Sequence, residues 1–272
     1  MNADLEVVIP VFNGMPYLEQ AVMSCLCQVD VNLTVTVIDN ASTDGTWDWL
    51  CAAADEDSRL NVIRNQSNIG MIPNIKKCFS QIRSPNFCFL CADDKLISNT
   101  ALSKAFQILN CHNNVGVVYS DLVYSDSINR ILLKRKFRRS GIFSARELGY
   151  KCVLEGRNLF GIPLLTRSCL LEKVEFDESL SYAADIDFAL QIGALTGSWH
   201  LPEFLIANRY HGGNATGRLQ GQALTQFTII AERHGYSLKR ISRLKMRIFT
   251  YKNTLLRSLF LQYAKLRSPG TQ

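Results

Sequence analysis

The chain has no long uncharged apolar run. None of its 272 residues lies in a stretch approaching the ~18 consecutive apolar residues of a membrane-spanning helix, so no spanning segment is expected. The N-terminus, Met1 to Glu6, is acidic and has neither the basic start nor the apolar stretch of a secretory leader. The expected location is therefore cytoplasmic. The nine cysteines are an odd number in a chain without a leader, which speaks against a disulfide framework and for reduced, buried thiols. Cys88 and Cys91 have the spacing of a zinc pair, but they lie in an apolar run, Phe87 to Cys91, that reads as a strand. Residues three apart on a strand point to opposite faces, so packed thiols are expected instead of a zinc site. No Gly-x-Gly-x-x-Gly follows the first apolar run, which removes the main support for an NAD-dependent oxidoreductase. There is no internal repeat and no low-complexity segment. Acidic residues are scarce at the end of the chain. After Leu219 only Glu232 stands against Arg233, Lys239, Arg240, Arg243, Lys245, Arg247, Lys252, Arg257, Lys265 and Arg267. Such a tail suits anionic phosphates or lipid headgroups.

What is present is a globular composition: 47% hydrophobic, 20% charged and a net charge of only +6, which together exclude a disordered chain. The first half alternates strand and helix signals. Strands are expected at Leu5 to Pro10, Leu33 to Ile38, Asn61 to Arg64, Phe87 to Cys91 and Val115 to Ser120. Helices are expected at Pro16 to Cys27, Trp47 to Ala54, Ile72 to Ile82 and Thr100 to Leu109. This β-α repetition predicts an α/β fold with a mostly parallel sheet covered on both faces. Ligands of such sheets sit beyond the carboxyl ends of the strands, where the polar clusters after Pro10, Ile38 and Cys91 fall. The second half is less regular. It reads as a strand pair over Leu122 to Leu133, an exposed basic loop from Lys134 to Arg139, and strands at Ile162 to Thr166 and Leu205 to Tyr210. A helix is expected from Asp185 to Leu195, and a glycine-rich turn at His211 to Asn214. Beyond Leu219, the residues Ile241, Leu244, Ile248, Tyr251, Leu255, Leu259 and Tyr263 recur at helical spacing.

Several polar residues in this frame have two readings each. Asp93 and Asp94 are adjacent carboxylates at a strand end. Their repulsion is offset by a divalent cation, or they form a solvated turn that caps the next helix. Asp39 ends a strand, where it accepts hydrogen bonds from a base or a ribose, or closes an Asx-turn. Asp185 is a general base for a hydroxyl or a helix N-cap. Asp187 lies two residues on. His211 stands among small residues, where a ligand can approach closely.

Taken together, Val8-Ile9-Pro10-Val11-Phe12-Asn13-Gly14, Val37-Ile38-Asp39-Asn40-Ala41-Ser42, Asn65 to Gly70 and Phe89-Leu90-Cys91-Ala92-Asp93-Asp94 resemble the inverting family-2 glycosyltransferases of GT-A fold. The likeness continues through Gly161-Ile162-Pro163, Asp185-Ile186-Asp187-Phe188 and Arg209-Tyr210-His211, so that it runs in order from Leu5 to Thr216. It implies a nucleotide-sugar-binding half at 1–120, an acceptor-binding half at 121–218 and a basic helical extension at 219–272.

By position, the resemblance implies that Pro10, Phe12, Asn13, Asp39, Asn68 and Asp93 bind the nucleotide of a UDP-, dTDP- or GDP-sugar. Asp93, Asp94 and His211 would hold Mg²⁺ or Mn²⁺, and Asp185 would be the catalytic base. The acceptor is expected to be a saccharide or lipid-linked saccharide, with surface polysaccharide as the product; nucleic acid is not an expected partner. The chain departs from the family at two positions: Cys91 stands where many members have an acid, and Ala184 where many have Glu. Two other functions are weighed. A nucleotidyltransferase acting on sugar phosphates would need a basic phosphate loop, and Val11 to Gly14 has no Arg or Lys. A non-catalytic sugar-nucleotide-binding module rests on Cys91 and Ala184. For the tail three readings stand: a peripheral contact with the inner face of the membrane, an arm packed on the domain, or a homodimer contact.

Overall fold

A computed structural model describes residues 3–137, 139–211, 214, 219–238 and 240–267. Arg138 of the basic run, Gly212 and Gly213 of the expected turn, Thr216, and Lys239 lie outside the described residues, as do the side chains of Arg240, Ile241, Arg257, Tyr263, Lys265 and Arg267. So does residue 218, at which the acceptor-binding half was expected to end.

The first half folds as its alternation predicts. Strands β1 (Leu5–Val11), β2 (Leu33–Asp39), β3 (Leu60–Arg64) and β4 (Asn86–Phe89) are separated by helices α1 (Leu18–Leu26), α2 (Thr46–Glu56) and α3 (Met71–Gln81). They pair in the parallel order β3-β2-β1-β4. β1 is apolar and buried along almost its whole length, as a strand covered on both faces must be. Its alternate residues feed two cores: Val7 and Ile9 pack with Leu18, Val22, Leu50 and Leu102, whereas Val8 packs with Phe87, Tyr119 and Phe160 on the other face.

Beyond β4 the sheet becomes mixed. β9 (Pro163–Arg167) inserts antiparallel between β4 and β6 (Val115–Ser125), so the expected fifth strand is not β4's neighbour. β6 then pairs parallel with β10 (Gly197–Arg209), and the two-residue β5 (Lys95–Leu96) closes that edge antiparallel to β10. β7 (Ile131–Arg135) pairs with β6, and β8 (Gly141–Phe143) with β10. The expected basic loop is thus partly strand. Arg135 donates to the carbonyls of Asn158 (2.9 Å) and Leu159 (2.8 Å), so it fixes a turn in the second half of the chain.

The remaining helices are α4 (Ala101–Cys111), α5 (Ala145–Glu155), α6 (Ala184–Leu195), α7 (Ala223–Arg233) and α8 (Arg240–Arg267). α7 and the inner side of α8 pack on the domain. Phe227, Ile230 and Met246 are buried in the same core as Val153 and Ile186. Arg233, counted among the tail's basic residues, is bound to the domain. It pairs with Asp177 and, at 2.8 Å, with the buried Asp187, which also receives His234 at 2.8 Å. Asp187 therefore latches α7 to α6. No helix among the described residues is long and apolar enough to cross a membrane.

Candidate active site

The carboxyl ends of β1, β2 and β4 meet at one rim, where backbone donors and short polar side chains lace the loops together. Asn13 takes the left-handed conformation (φ 51°), which asparagine tolerates better than most residues. Its N–H donates to Ser42 Oγ at 2.8 Å, and its Oδ1 accepts from the Thr43 N–H at 2.9 Å. The Gly14 N–H reaches Thr46 Oγ1 at 2.9 Å. A Cβ on Gly14 would lie 2.4 Å from Val11 Cγ2, so this loop requires glycine. Phe12 is half exposed at the rim.

Asp39 is fully buried at the end of β2. Of its two readings, the turn-closing one is what its contacts show. It accepts the Ser42 N–H at 3.1 Å, closing the turn, and it pairs with Arg64 Nε at 3.2 Å. Arg64 in turn lies over the Trp47 ring. Pro10, half-buried in β1, pairs with Ile38, next to Asp39. Asn68 Oδ1 accepts from Asn40 Nδ2 (2.8 Å) and from the Gly70 N–H (2.9 Å). Asn40 is tied to Asn65, Asn65 to Asn74, and Asn74 to the carbonyl of Ile38. A buried amide chain therefore shapes the loop that carries Asn68.

The second group forms where the loop after β4 meets the end of β10. Asp94 is buried: its Oδ1 accepts the Arg209 backbone N–H at 2.9 Å, and its Oδ2 accepts Asn208 Nδ2 at 3.3 Å. Asp93 is more open, and its Oδ2 accepts from Asn214 Nδ2 at 2.8 Å and lies 3.0 Å from His211 Nε2. These acids do not cap the next helix, because α4 starts after Thr100. Burial and then the neighbouring Asp93 push the Asp94 carboxyl well above the usual range. Arg209 offsets part of this charge. Its guanidinium donates to the Asp93 carbonyl and to Gln20, and it stacks on Tyr17, whose ring also meets His211.

A divalent cation fits this donor set. Cys91, Asp93 and Asp94 present one ligand atom each within 4.8 Å of one another. Asp94 has both oxygens engaged, so Asp93 is the more available carboxylate, with the His211 imidazole beside it. Cys88 is a packed thiol, as expected. Cys91 is only half-buried, and it belongs to the acidic group.

Asp185 lies in the first turn of α6 and does not cap it; Ala183 holds the cap position. Its Oδ2 accepts Asn158 Nδ2 at 2.7 Å, and its Oδ1 accepts the Ile186 N–H at 2.8 Å. Asn158 belongs to the turn held by Arg135. The charges of Asp94, Asp93 and Asp185, in that order, add to the burial that pushes the Cys91 thiol well up. Asp185, far along the chain from Asp93 and Asp94, is thus within electrostatic range of the same thiol. The sequence reading gave no role to Arg209, Tyr17, Gln20, Asn158 or Asn214. The segment around His211 already contained Arg209 and Asn214; nothing in sequence marked Asn158 or Gln20.

The sequence model of Glycosyl transferase family 2 matches residues 6–169, more than half of the chain. An uncharacterized glycosyltransferase of Rickettsia prowazekii is 26% identical over 223 residues, covering 80% of this chain and 67% of that protein. A putative teichuronic acid biosynthesis glycosyltransferase of Bacillus subtilis, TuaG, is 31% identical over 91 residues, 34% of this chain and 36% of that protein. Among solved structures, S. aureus TarS 1-349 in complex with UDP-GlcNAc superposes with a TM-score of 0.68 at 17% identity, covering 93% of this chain and 72% of that one. The mannosyltransferase PcManGT of Pyrobaculum calidifontis, in complex with GDP-Man and Mn2+, gives a TM-score of 0.62 at 17% identity, over 98% of this chain and 74% of that one. These neighbours share the GT-A fold, and with more than half of its length matched by the family's own pattern, this chain belongs to glycosyltransferase family 2.

Proposed function

We propose that the protein transfers a sugar from a nucleoside-diphosphate sugar to an acceptor hydroxyl, with inversion at the anomeric carbon. The reading rests on one observation: Asp93 and Asp94 share a ligand cluster with Cys91 at the strand-end rim, and the charge of Asp185 is felt at that same thiol. Donor binding falls to the laced loops after β1 and β2, with Asp39 and Asn13 at the base and ribose and Phe12 along the rim. Mg²⁺ or Mn²⁺, held by Asp93 with Asp94 and His211, would neutralise the charge that builds on the departing diphosphate. Asp185 accepts the proton of the acceptor hydroxyl. That oxygen bonds to the anomeric carbon from the side opposite the diphosphate, whose bond to carbon breaks as it leaves. The Asn158 hydrogen bond holds the Asp185 carboxylate in position for this step. The teichuronic acid relative supports a role in polysaccharide assembly, and the acceptor in this reading is a saccharide, free or lipid-linked.

The test is a panel of UDP-, dTDP- and GDP-sugars scored for release of nucleoside diphosphate with Mn²⁺ and with chelator. Asp185→Asn should lower transfer by roughly 10²–10⁴-fold while donor binding persists. Full transfer by that variant removes Asp185 as the base. Donor binding with no turnover by the unaltered protein on any sugar selects the binding-module reading, and formation of a nucleotide sugar from a sugar phosphate selects the nucleotidyltransferase.

A further inference from the structure

The outer face of α8 carries an apolar surface that the domain does not use. Met246 and Thr250 are buried and set the inner face. Leu244, Ile248, Tyr251, Leu255 and Leu259 are each more than half exposed. At 3.6 residues per turn these five fall within an arc of about 80°, on the side opposite Met246 and Thr250. A surface helix normally turns its polar face outward, so this one is reversed. Lys245 and Lys252 flank the stripe on one side, Arg243 and Arg247 on the other, and all four are exposed. Across its 28 residues the helix has eight Lys or Arg and no Asp or Glu.

We propose that this face lies in the headgroup region of an anionic bilayer, with the stripe among the acyl chains and the flanking cations on lipid phosphates. Charge selects this occupant over a second copy of the chain. A symmetric helix pair along the stripe would set like charges against each other on both flanks with no acid to relieve them, whereas an anionic surface neutralises them. The helix spans ~42 Å, long enough to lie flat as an anchor. Its inner face also bears on the acceptor side of the proposed site. Thr250 packs against Gly156, where an added Cβ would come within 2.2 Å of Thr250 Oγ1. Gly156 ends α5 two residues before Asn158, the partner of Asp185. If the proposed transferase activity holds, docking α8 brings the base's side of the molecule to a lipid-linked acceptor; the lipid contact itself does not depend on that activity.

Flotation of the full chain with vesicles tests it. Vesicles of phosphatidylcholine with phosphatidylglycerol should carry the protein up, pure phosphatidylcholine should not, and raised salt should release it. Ile248→Ser with Leu255→Ser should abolish flotation, and Lys245→Gln with Lys252→Gln should weaken binding roughly fivefold for each charge removed. Circular dichroism and donor turnover in solution should be unchanged in these variants, which separates a failure of the lipid contact from a failure of the enzymatic reading. Absence of flotation, equal flotation on neutral vesicles, or a concentration-dependent dimer abolished by the same serine substitutions would each overturn the proposal, the last assigning the stripe to a second copy.

Discussion

Cys91 shows how a single side chain changes the proposed metal site. In place of a third carboxylate it offers a thiol that burial and three nearby acids keep protonated. A hard cation such as Mg²⁺ prefers oxygen, so Cys91 adds little to its binding, and charge count governs affinity at such sites. Cys91→Asp should therefore lower the dissociation constant for Mn²⁺ roughly tenfold, read from the loss of the free-ion signal by electron paramagnetic resonance. Unchanged affinity would mean that position 91 does not face the ion. The residues around it divide into those that sequence could mark and those it could not. Asp39, Asp93, Asp94, Asp185 and His211 stand out because a carboxylate or imidazole at a strand end or beside small residues is conspicuous in a linear reading. Arg209 and Asn158 act through contacts formed only when segments more than a hundred and about thirty residues apart, respectively, are brought together. The chain gives such pairings no local signature.

At the scale of elements, the first half was legible because each strand is followed at once by its crossover helix, so every element has its own local signal even though the strands stack in the order β3-β2-β1-β4. The second half breaks that relation. β9 returns some forty residues after β6 to wedge between β4 and β6, a pairing no periodicity encodes. β10 starts eight residues before the expected strand, because the bulge around Pro202 and Glu203 interrupts its alternation. α5 was missed although its start is marked in sequence: Ser144 Oγ accepts the Glu147 N–H, the Ser-x-x-Glu spacing of a capped helix. Its end shows how one element supports another. Gly156 is left-handed (φ 61°), and a methyl there would also lie 2.9 Å from the Thr250 backbone. Gly156→Ala should cost about 2–3 kcal/mol in urea unfolding. Because the turn to Asn158 follows directly, kcat should fall more than donor affinity. A loss of stability with kcat unaltered would show that α8 bears on α5 without influencing the base.

At the scale of the whole molecule, the proposed donor site belongs to no single element. It takes the ends of the neighbouring strands β1, β2 and β4 and the end of β10 from the far side of the sheet, joined through Arg209, Asp93 and Asp94. A ligand spanning these ends binds only when all of them are in register, so its binding energy adds to global stability. At a hundredfold excess over its dissociation constant a ligand contributes about 2.7 kcal/mol. For a chain of this size that raises the melting temperature by roughly 5–10 °C. The true donor nucleotide sugar should give this shift with Mn²⁺ present, and chelator should reduce it. Asp93→Asn should remove the part that depends on metal. Phe12→Ala, at the rim near the base, should lower the shift with and without metal, since stacking surface and metal grip act at opposite ends of the donor. A shift of equal size for every nucleotide and indifferent to Asp93 would mean that the ligand sits elsewhere, and the rim at β1, β2 and β4 would lose its claim as the donor site.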